Sequence, residues 1–191
     1  MNALDEHLFL WLNLSQHTPA WLMDLARFGS TVWPTAVLLT VLAAIVMGPG
    51  RWRCAALHML LAVLLAMLLA WLIVRGISTT WPMPRPFVLG LGEQWLAKEP
   101  SASFPSSHAS IAWAISAAAL WWVRHPLVIA GFLLSALLVG WSRVALGVHF
   151  PSDMVAGMVV GVFAAWATWR LTRWLARRLG SGFQDTVTAW G

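Results

Sequence analysis

Apolar residues along this chain fall into long unbroken runs rather than the spaced stripes of a soluble amphipathic helix. Five of these runs, near 29–48, 55–77, 107–123, 127–144 and 153–172, approach the roughly 20 residues that a helix needs to cross a bilayer. The breaks between them have chemical causes. Gly48-Pro49-Gly50 stops the first run, with Arg51 and Arg53 behind it, and Arg124-His125-Pro126 makes a tight hairpin. The stretch 78–106 carries Pro82, Pro84, Pro86, Pro100 and Pro105, so it is predicted to be a non-helical loop. Residues 1–28 read differently: Leu8, Phe9, Leu10, Trp11 and Leu12 precede polar Asn13, Ser15 and Gln16, and Asp24 and Arg27 interrupt the rest. That pattern predicts one or two amphipathic helices lying in the interface. The expected organisation is an interfacial segment 1–28, a transmembrane domain 29–180 and a polar tail 181–191, in an all-α integral membrane helical bundle of five to six spans.

Composition supports the membrane reading. Of 191 residues 60% are hydrophobic and only 10% charged, too little charge to solvate a globular surface. The 15 Trp suit the headgroup belts, where an indole buries its ring and still donates a hydrogen bond. A net charge of +5 would suggest nucleic acid, but the arginines sit at the ends of apolar runs rather than in a solvated basic stripe, so no nucleic-acid partner is expected. Cys54 is the single cysteine, which excludes a disulfide framework and a thiolate metal cluster. Asp5 and Glu6 stand where a signal peptide would be basic, and no cleavable signal is expected. Arg51, Arg53, Arg124, Arg170, Arg173, Arg177 and Arg178 gather at one set of span ends, against Arg27, Arg75, Arg85, Lys98 and Arg143 at the other. The richer side is predicted to be cytoplasmic, so the long loop and the 145–152 connection face outward.

Three polar clusters interrupt the apolar chain, and this topology places all of them at the outer surface. They are Pro84-Arg85-Pro86, Pro105-Ser106-Ser107-His108, and the stretch from Ser142-Arg143 through His149 to Asp153. Arg85 and Arg143 offer planar forks of donors that match phosphate oxygens. Ser106 and the amides of Ser107 and His108 open a helix, where free N–H groups and the dipole favour an anion. Asp153, four residues after His149, can hold a proton on one imidazole nitrogen and leave the other free to attack phosphorus. His108 can protonate the departing oxygen. Nucleophile, orienter, acid and charge clamp make a full set for phosphoryl transfer. Such a site predicts a bell-shaped pH profile and indifference to chelators.

These residues resemble the type 2 phosphatidic acid phosphatases. Ser142-Arg143, five residues, His149, three residues, Asp153 is similar to that family's third signature, Pro105-Ser106-Ser107-His108 to its second, and Arg85-Pro86 to the end of its first. The resemblance implies a helical-bundle core, no metal or other cofactor, His149 as the residue that forms a phosphohistidine, Asp153 as its orienter and His108 as leaving-group acid. It implies Arg85, Ser106 and Arg143 as phosphate binders, which Ser107 joins through its helix-start amide. Arg85-Pro86-Phe87-Val88, Ser103-Phe104-Pro105-Ser106 and Leu146-Gly147-Val148-His149 resemble in particular the bacterial undecaprenyl-diphosphate phosphatases. That implies an isoprenoid lipid phosphate as substrate, lipid-carrier recycling for peptidoglycan synthesis, and a place in the bacterial inner membrane with the site facing out. The chain departs from the family at Ser78, where a lysine is usual. Arg75, one helical turn earlier, is a candidate substitute, but its side chain leans toward the cytoplasmic end, which favours packing or snorkelling.

Other readings of the same residues stay open. His108, His149 and Asp153 could ligate zinc, although the usual close pair of histidines is missing. The arginines and histidines could line an ion path in a transporter or scaffold, which would place charge at several depths in the spans. A lipid-to-lipid phosphotransferase, or a phosphatase for phosphatidylglycerophosphate, phosphatidic acid or lipid A, would use the same nucleophile.

Overall fold

A computed structural model describes residues 3–32, 50–121 and 124–179. The predicted first span lies mostly outside these residues, and the predicted 181–191 tail lies wholly outside them. The described chain is helical, with α1 (Ala3–Leu12), α2 (Ala20–Arg27), a π-helical turn (Phe28–Val32), α3 (Gly50–Thr80), a short 3₁₀ turn (Pro86–Leu89), α4 (Ser107–Ala119), α5 (Pro126–Ala145) and α6 (Pro151–Leu179). Among the described residues three stretches are long and apolar enough to cross a membrane: Leu57–Thr80, Pro126–Ala145 and Pro151–Leu175. Helix α4 has 13 residues, about 20 Å at 1.5 Å per residue. It stops short of the predicted end at 123, of which residues 122 and 123 lie outside the described set.

The bundle turns its large side chains outward. Leu61, Leu68 and Leu72 of α3, Leu134 and Leu137 of α5, and Val159 and Phe163 of α6 are all exposed, as expected where lipid rather than water is the solvent. Inside, α3, α4 and α6 meet over alanines: Ala66, Ala70, Ala114, Ala118, Ala164 and Ala165 form the buried cluster. Small residues let helix backbones approach when lipid removes the hydrophobic drive to associate. The closest approach is at Gly157 and Gly161 of α6. A Cβ on Gly157 would stand 2.8 Å from the Ala109 Cβ and 2.9 Å from the Ser106 carbonyl oxygen, and one on Gly161 would stand 2.8 Å from the Ala114 nitrogen.

One end of the bundle is capped by the N-terminal helices. Asp5 of α1 accepts the Ser152 N–H at 2.9 Å and the Ser152 hydroxyl at 2.5 Å, occupying the free donors that open α6. Phe9 is buried against Phe150 with ring centroids 5.4 Å apart. The opposite end carries a belt of tryptophan and arginine. Trp121 stacks on Trp169 at 5.8 Å, Arg173 lies over Trp169 at 5.0 Å, and Arg178 lies over Trp174 at 5.6 Å.

Candidate active site

The spacing from Arg143 to Asp153 follows from how α5 ends and α6 begins. Helix α5 closes in a Schellman turn, with Val148 N–H donating to Arg143 O at 3.1 Å and Gly147 N–H to Val144 O at 3.0 Å. Gly147 takes the left-handed conformation (φ 77°) that such a turn requires, and a Cβ there would also collide with the Glu93 carbonyl. His149 and Phe150 follow, and Pro151 opens α6. From the first turn of α6, Asp153 reaches back so that its Oδ2 accepts the Phe150 N–H at 2.9 Å, one half of a capping box. Helix end, turn and helix start together set the motif's length. Leu146, Val148 and Phe150 are buried and wedge the turn into the bundle.

His149, only 2% exposed, is held at both ring nitrogens. Its Nδ1 lies 3.1 Å from Asp153 Oδ2. Its Nε2 lies 3.1 Å from Arg85 Nη1. A guanidinium only donates, so Nε2 must be the bare nitrogen and Nδ1 the protonated one; the tautomer is assigned from this network. Burial pushes the imidazole down to about 4, against the pull of the Asp153 hydrogen bond and charge, while Arg85 and Arg143 push the same way as burial. The ring is therefore neutral near pH 7, and its contact with Asp153 is a hydrogen bond from a neutral imidazole rather than an ion pair.

The two predicted arginines are both buried. Arg85 donates to Val148 O at 2.7 Å, Ala102 O at 3.1 Å and Ser101 Oγ at 3.3 Å, which fixes its fork across the mouth of the turn. Burial lowers its pKa, and the Asp153 charge partly offsets this. Arg143 donates from Nη1 to Ser30 Oγ at 2.6 Å, but its buried Nε has no partner among the described residues. A buried donor left unpaired costs about 1–3 kcal/mol, more when charged, so that nitrogen awaits an acceptor. Ser106 is the N-cap of α4, its Oγ accepting the Ala109 N–H at 3.4 Å, and its own N–H donates to Asp153 O at 3.2 Å. This bond ties the start of α4 to the start of α6. Ser107 and His108 occupy the first positions of α4, where the amides have no helical partner. The His108 side chain makes no hydrogen bond among the described residues. It stands at a largely apolar groove between α4 and α5, with Ile111, Ile115, Phe132 and Val139.

Several residues of the site carried no chemical prediction. Ser103 is buried and donates to Asp153 Oδ2 at 2.5 Å, with His149 Nδ1 at 3.3 Å. In sequence it was only part of a run resembling one subgroup. Ser30, in the π-helical turn, is reached across 113 positions, and no local pattern marks it. Asn13 also joins distant strands of the site, donating to Glu93 O at 3.0 Å and Ala145 O at 3.1 Å. Ser78, at the position of the usual lysine, donates to Phe104 O at 3.1 Å. Arg75 is exposed with its guanidinium 5.9 Å from the Trp71 ring centroid and makes no contact with His149, Asp153 or Arg85. Among the described residues no group of three or more His, Cys, Asp or Glu is placed to hold a metal ion.

A neutral imidazole aimed by a carboxylate, between buried arginines at one end of an all-helical membrane bundle, defines the class: a membrane phosphoryl-transfer enzyme. Residues 59–177, more than half of the chain, match the PAP2 superfamily, and the chain belongs to that family of membrane lipid phosphatases. "Putative undecaprenyl-diphosphatase YbjG" of Escherichia coli is 29% identical over 164 residues, covering 85% of this chain and 79% of that protein. Undecaprenyl-diphosphatase BcrC of Bacillus subtilis is 38% identical over 92 residues, covering 47% of this chain and 45% of that one. The crystal structure of Aquifex aeolicus LpxE superposes with a TM-score of 0.68 at 25% identity, covering 88% of this chain and 96% of that one.

Proposed function

We propose that this enzyme hydrolyses undecaprenyl diphosphate to undecaprenyl phosphate and phosphate, recycling the lipid carrier of cell-wall synthesis at the outer face of the bacterial inner membrane. The observation that carries the reading is His149 set between Asp153 Oδ2 at Nδ1 and Arg85 Nη1 at Nε2, a pairing that assigns the proton to Nδ1 and leaves Nε2 bare. A terminal phosphoryl group entering between Nε2 and Arg85 exchanges that hydrogen bond for one from Arg85 to its own oxygen. Arg143 Nε, the Ser106 hydroxyl and the Ser107 and His108 amides take the other oxygens. Nε2 then bonds phosphorus, the bridging P–O bond breaks, and the electron pair leaves with the oxygen on the lipid side, which takes a proton from His108. Water, giving its proton back to His108, cleaves the P–N bond and releases phosphate. Only positioned charge and one acid–base group are needed.

The groove that starts at His108 offers an apolar path for a lipid tail beside a polar reaction centre, and undecaprenyl diphosphatase is the activity in the names of two relatives. The basic belt at the end remote from His149 supports the outward orientation. The test is phosphate release from purified protein in detergent, with undecaprenyl diphosphate, phosphatidylglycerophosphate, phosphatidic acid and lipid A side by side and no acceptor lipid added. Highest kcat/KM on the diphosphate, with loss of activity in a folded His149→Ala variant, is expected. Preference for another lipid overturns the substrate assignment, activity in His149→Ala overturns the nucleophile, and dependence on an added acceptor makes the enzyme a transferase.

A further inference from the structure

The loop between the 3₁₀ turn and α4 is pinned to the site at both ends. On one side, Trp95 N–H donates to Leu146 O at 3.1 Å, its indole donates to Leu14 O at 2.7 Å, and Glu93 N–H donates to Asn13 Oδ1 at 2.7 Å. On the other side, Arg85 holds Ser101 and Ala102. Between them Gln94 Nε2 reaches the carbonyls of Leu96 at 2.9 Å and Lys98 at 3.4 Å, folding the tip back on itself. Lys98 lies three residues from Trp95 and three from Ser101. Even fully extended, three residues span at most about 11 Å, so Lys98 stays at the mouth of the site.

Lys98 also lacks a counter-ion among the described residues. No carboxylate among the described residues stands within ion-pair distance of its ammonium. Burial, then Arg85, then Arg143, push the Lys98 ammonium below the usual lysine value, in keeping with the short tether to Ser101, which Arg85 holds. Arg143 meanwhile keeps a buried Nε without an acceptor among the described residues. A single phosphoryl group beside His149 engages the two arginines and leaves the third cation unmatched. A second phosphate on the same ligand matches it.

Resting on the substrate reading above, we propose that Lys98 forms a second-phosphate subsite, its ammonium taking the lipid-side phosphate of a diphosphate whose terminal group sits on His149. This subsite supplies from the loop the cation that the family's lysine would place on α3, where Ser78 instead holds Phe104 O. When the bridging P–O bond breaks, the electron pair goes to the bridging oxygen of the lipid monophosphate, and Lys98 offsets the charge that collects there.

Binding of two lipid-free probes, methylenediphosphonate and inorganic phosphate, to the purified full chain in detergent tests the subsite without turnover. A charge-assisted hydrogen bond of the usual strength corresponds to about tenfold in affinity. Lys98→Met is expected to weaken the diphosphonate about tenfold and phosphate less than twofold, and Lys98→Arg to keep most of the affinity. Equal weakening of both probes, unchanged diphosphonate binding, or a native protein that binds the two alike would overturn the proposal. The probes carry no lipid, so a Lys98 effect on the diphosphonate stands even if the lipid panel shows another substrate.

Discussion

Replacing Asp153 by asparagine separates the orientation of His149 from the charge that supports it. Three donors converge on Asp153 Oδ2: the Ser103 hydroxyl at 2.5 Å, the Phe150 N–H at 2.9 Å and His149 Nδ1 at 3.1 Å. A hydroxyl can rotate, but a backbone N–H cannot. In Asp153→Asn the Phe150 N–H therefore selects the amide oxygen for the Oδ2 position, and His149 keeps its tautomer with Nε2 bare. What disappears is the negative charge opposite a ring that becomes cationic as Nε2 bonds phosphorus. A hydrogen bond to a charged group contributes about 1.5–3 kcal/mol, and each 1.36 kcal/mol is tenfold in rate. Phosphoryl transfer should slow roughly 10- to 150-fold. Loss of the tautomer as well would bring the loss toward about 10⁴-fold, as when the orienting carboxylate of a serine-protease triad becomes an amide. Rapid-quench measurement of labelled phosphate on the protein, for the native chain, Asp153→Asn and His149→Ala, reads the step directly, with melting temperatures to confirm folding. A variant within twofold of native, or one as inactive as His149→Ala, would refute the reasoning.

Acid inactivation follows His149. Its nitrogen attacks only when neutral, and burial holds its pKa to about 4, so activity should survive acidification well below the ordinary histidine value and fall as pH approaches that point. Ser103→Ala removes a donor from the carboxylate, which then holds protons on the ring more strongly, and the acid limb of kcat on one substrate should move to higher pH; an unmoved limb makes Ser103 a packing residue only. His108→Ala should reduce turnover of a lipid monophosphate, whose leaving group is an alkoxide, at least tenfold more than that of a diphosphate, whose leaving group is already acidic, within the usual 10²–10⁴-fold range of acid catalysis. Equal losses on the two substrates would remove His108 from the leaving group. Gly147→Ala should cost about 1–2 kcal/mol from its left-handed backbone and displace Glu93, seen as a lower melting temperature in detergent and a higher KM; native-like stability would show that the turn can relax.

The candidate site's signatures were legible as an arrangement because their geometry is local. His149 and Asp153 lie across one helix start, and Arg143 lies one turn upstream, so spacing alone carries the arrangement. The convergence of Arg85 on His149 was legible from topology, since apolar runs between polar clusters place those clusters on one side. Ser103, Ser30, Asn13 and Asp5 were not legible as chemistry. Each is a small polar residue whose partner lies tens of positions away, across 50 for Ser103 and Asp153 and 147 for Asp5 and Ser152. No periodicity announces such a bond. The N-terminal helices illustrate the same limit: their amphipathic pattern suggested an interface, while the docking of Phe9 on Phe150 depends on a shape that only the folded bundle provides.

Gly157 and Gly161 lie one and two turns from Asp153 along α6, and the α4 backbone fills the space where side chains would stand. Helix α4 carries His108 at its head, and α6 begins just after His149. The spacing of the two helices that carry these histidines is thus gauged by bare backbone. In the proposed reaction the nucleophile must come within about 3–3.5 Å of phosphorus, so a methyl group wedged into that seam is expected to move the two histidines out of range of a common phosphorus atom. Substitutions there are expected to insert and fold yet lower turnover, so a survey of tolerated changes should mark these glycines as demanding.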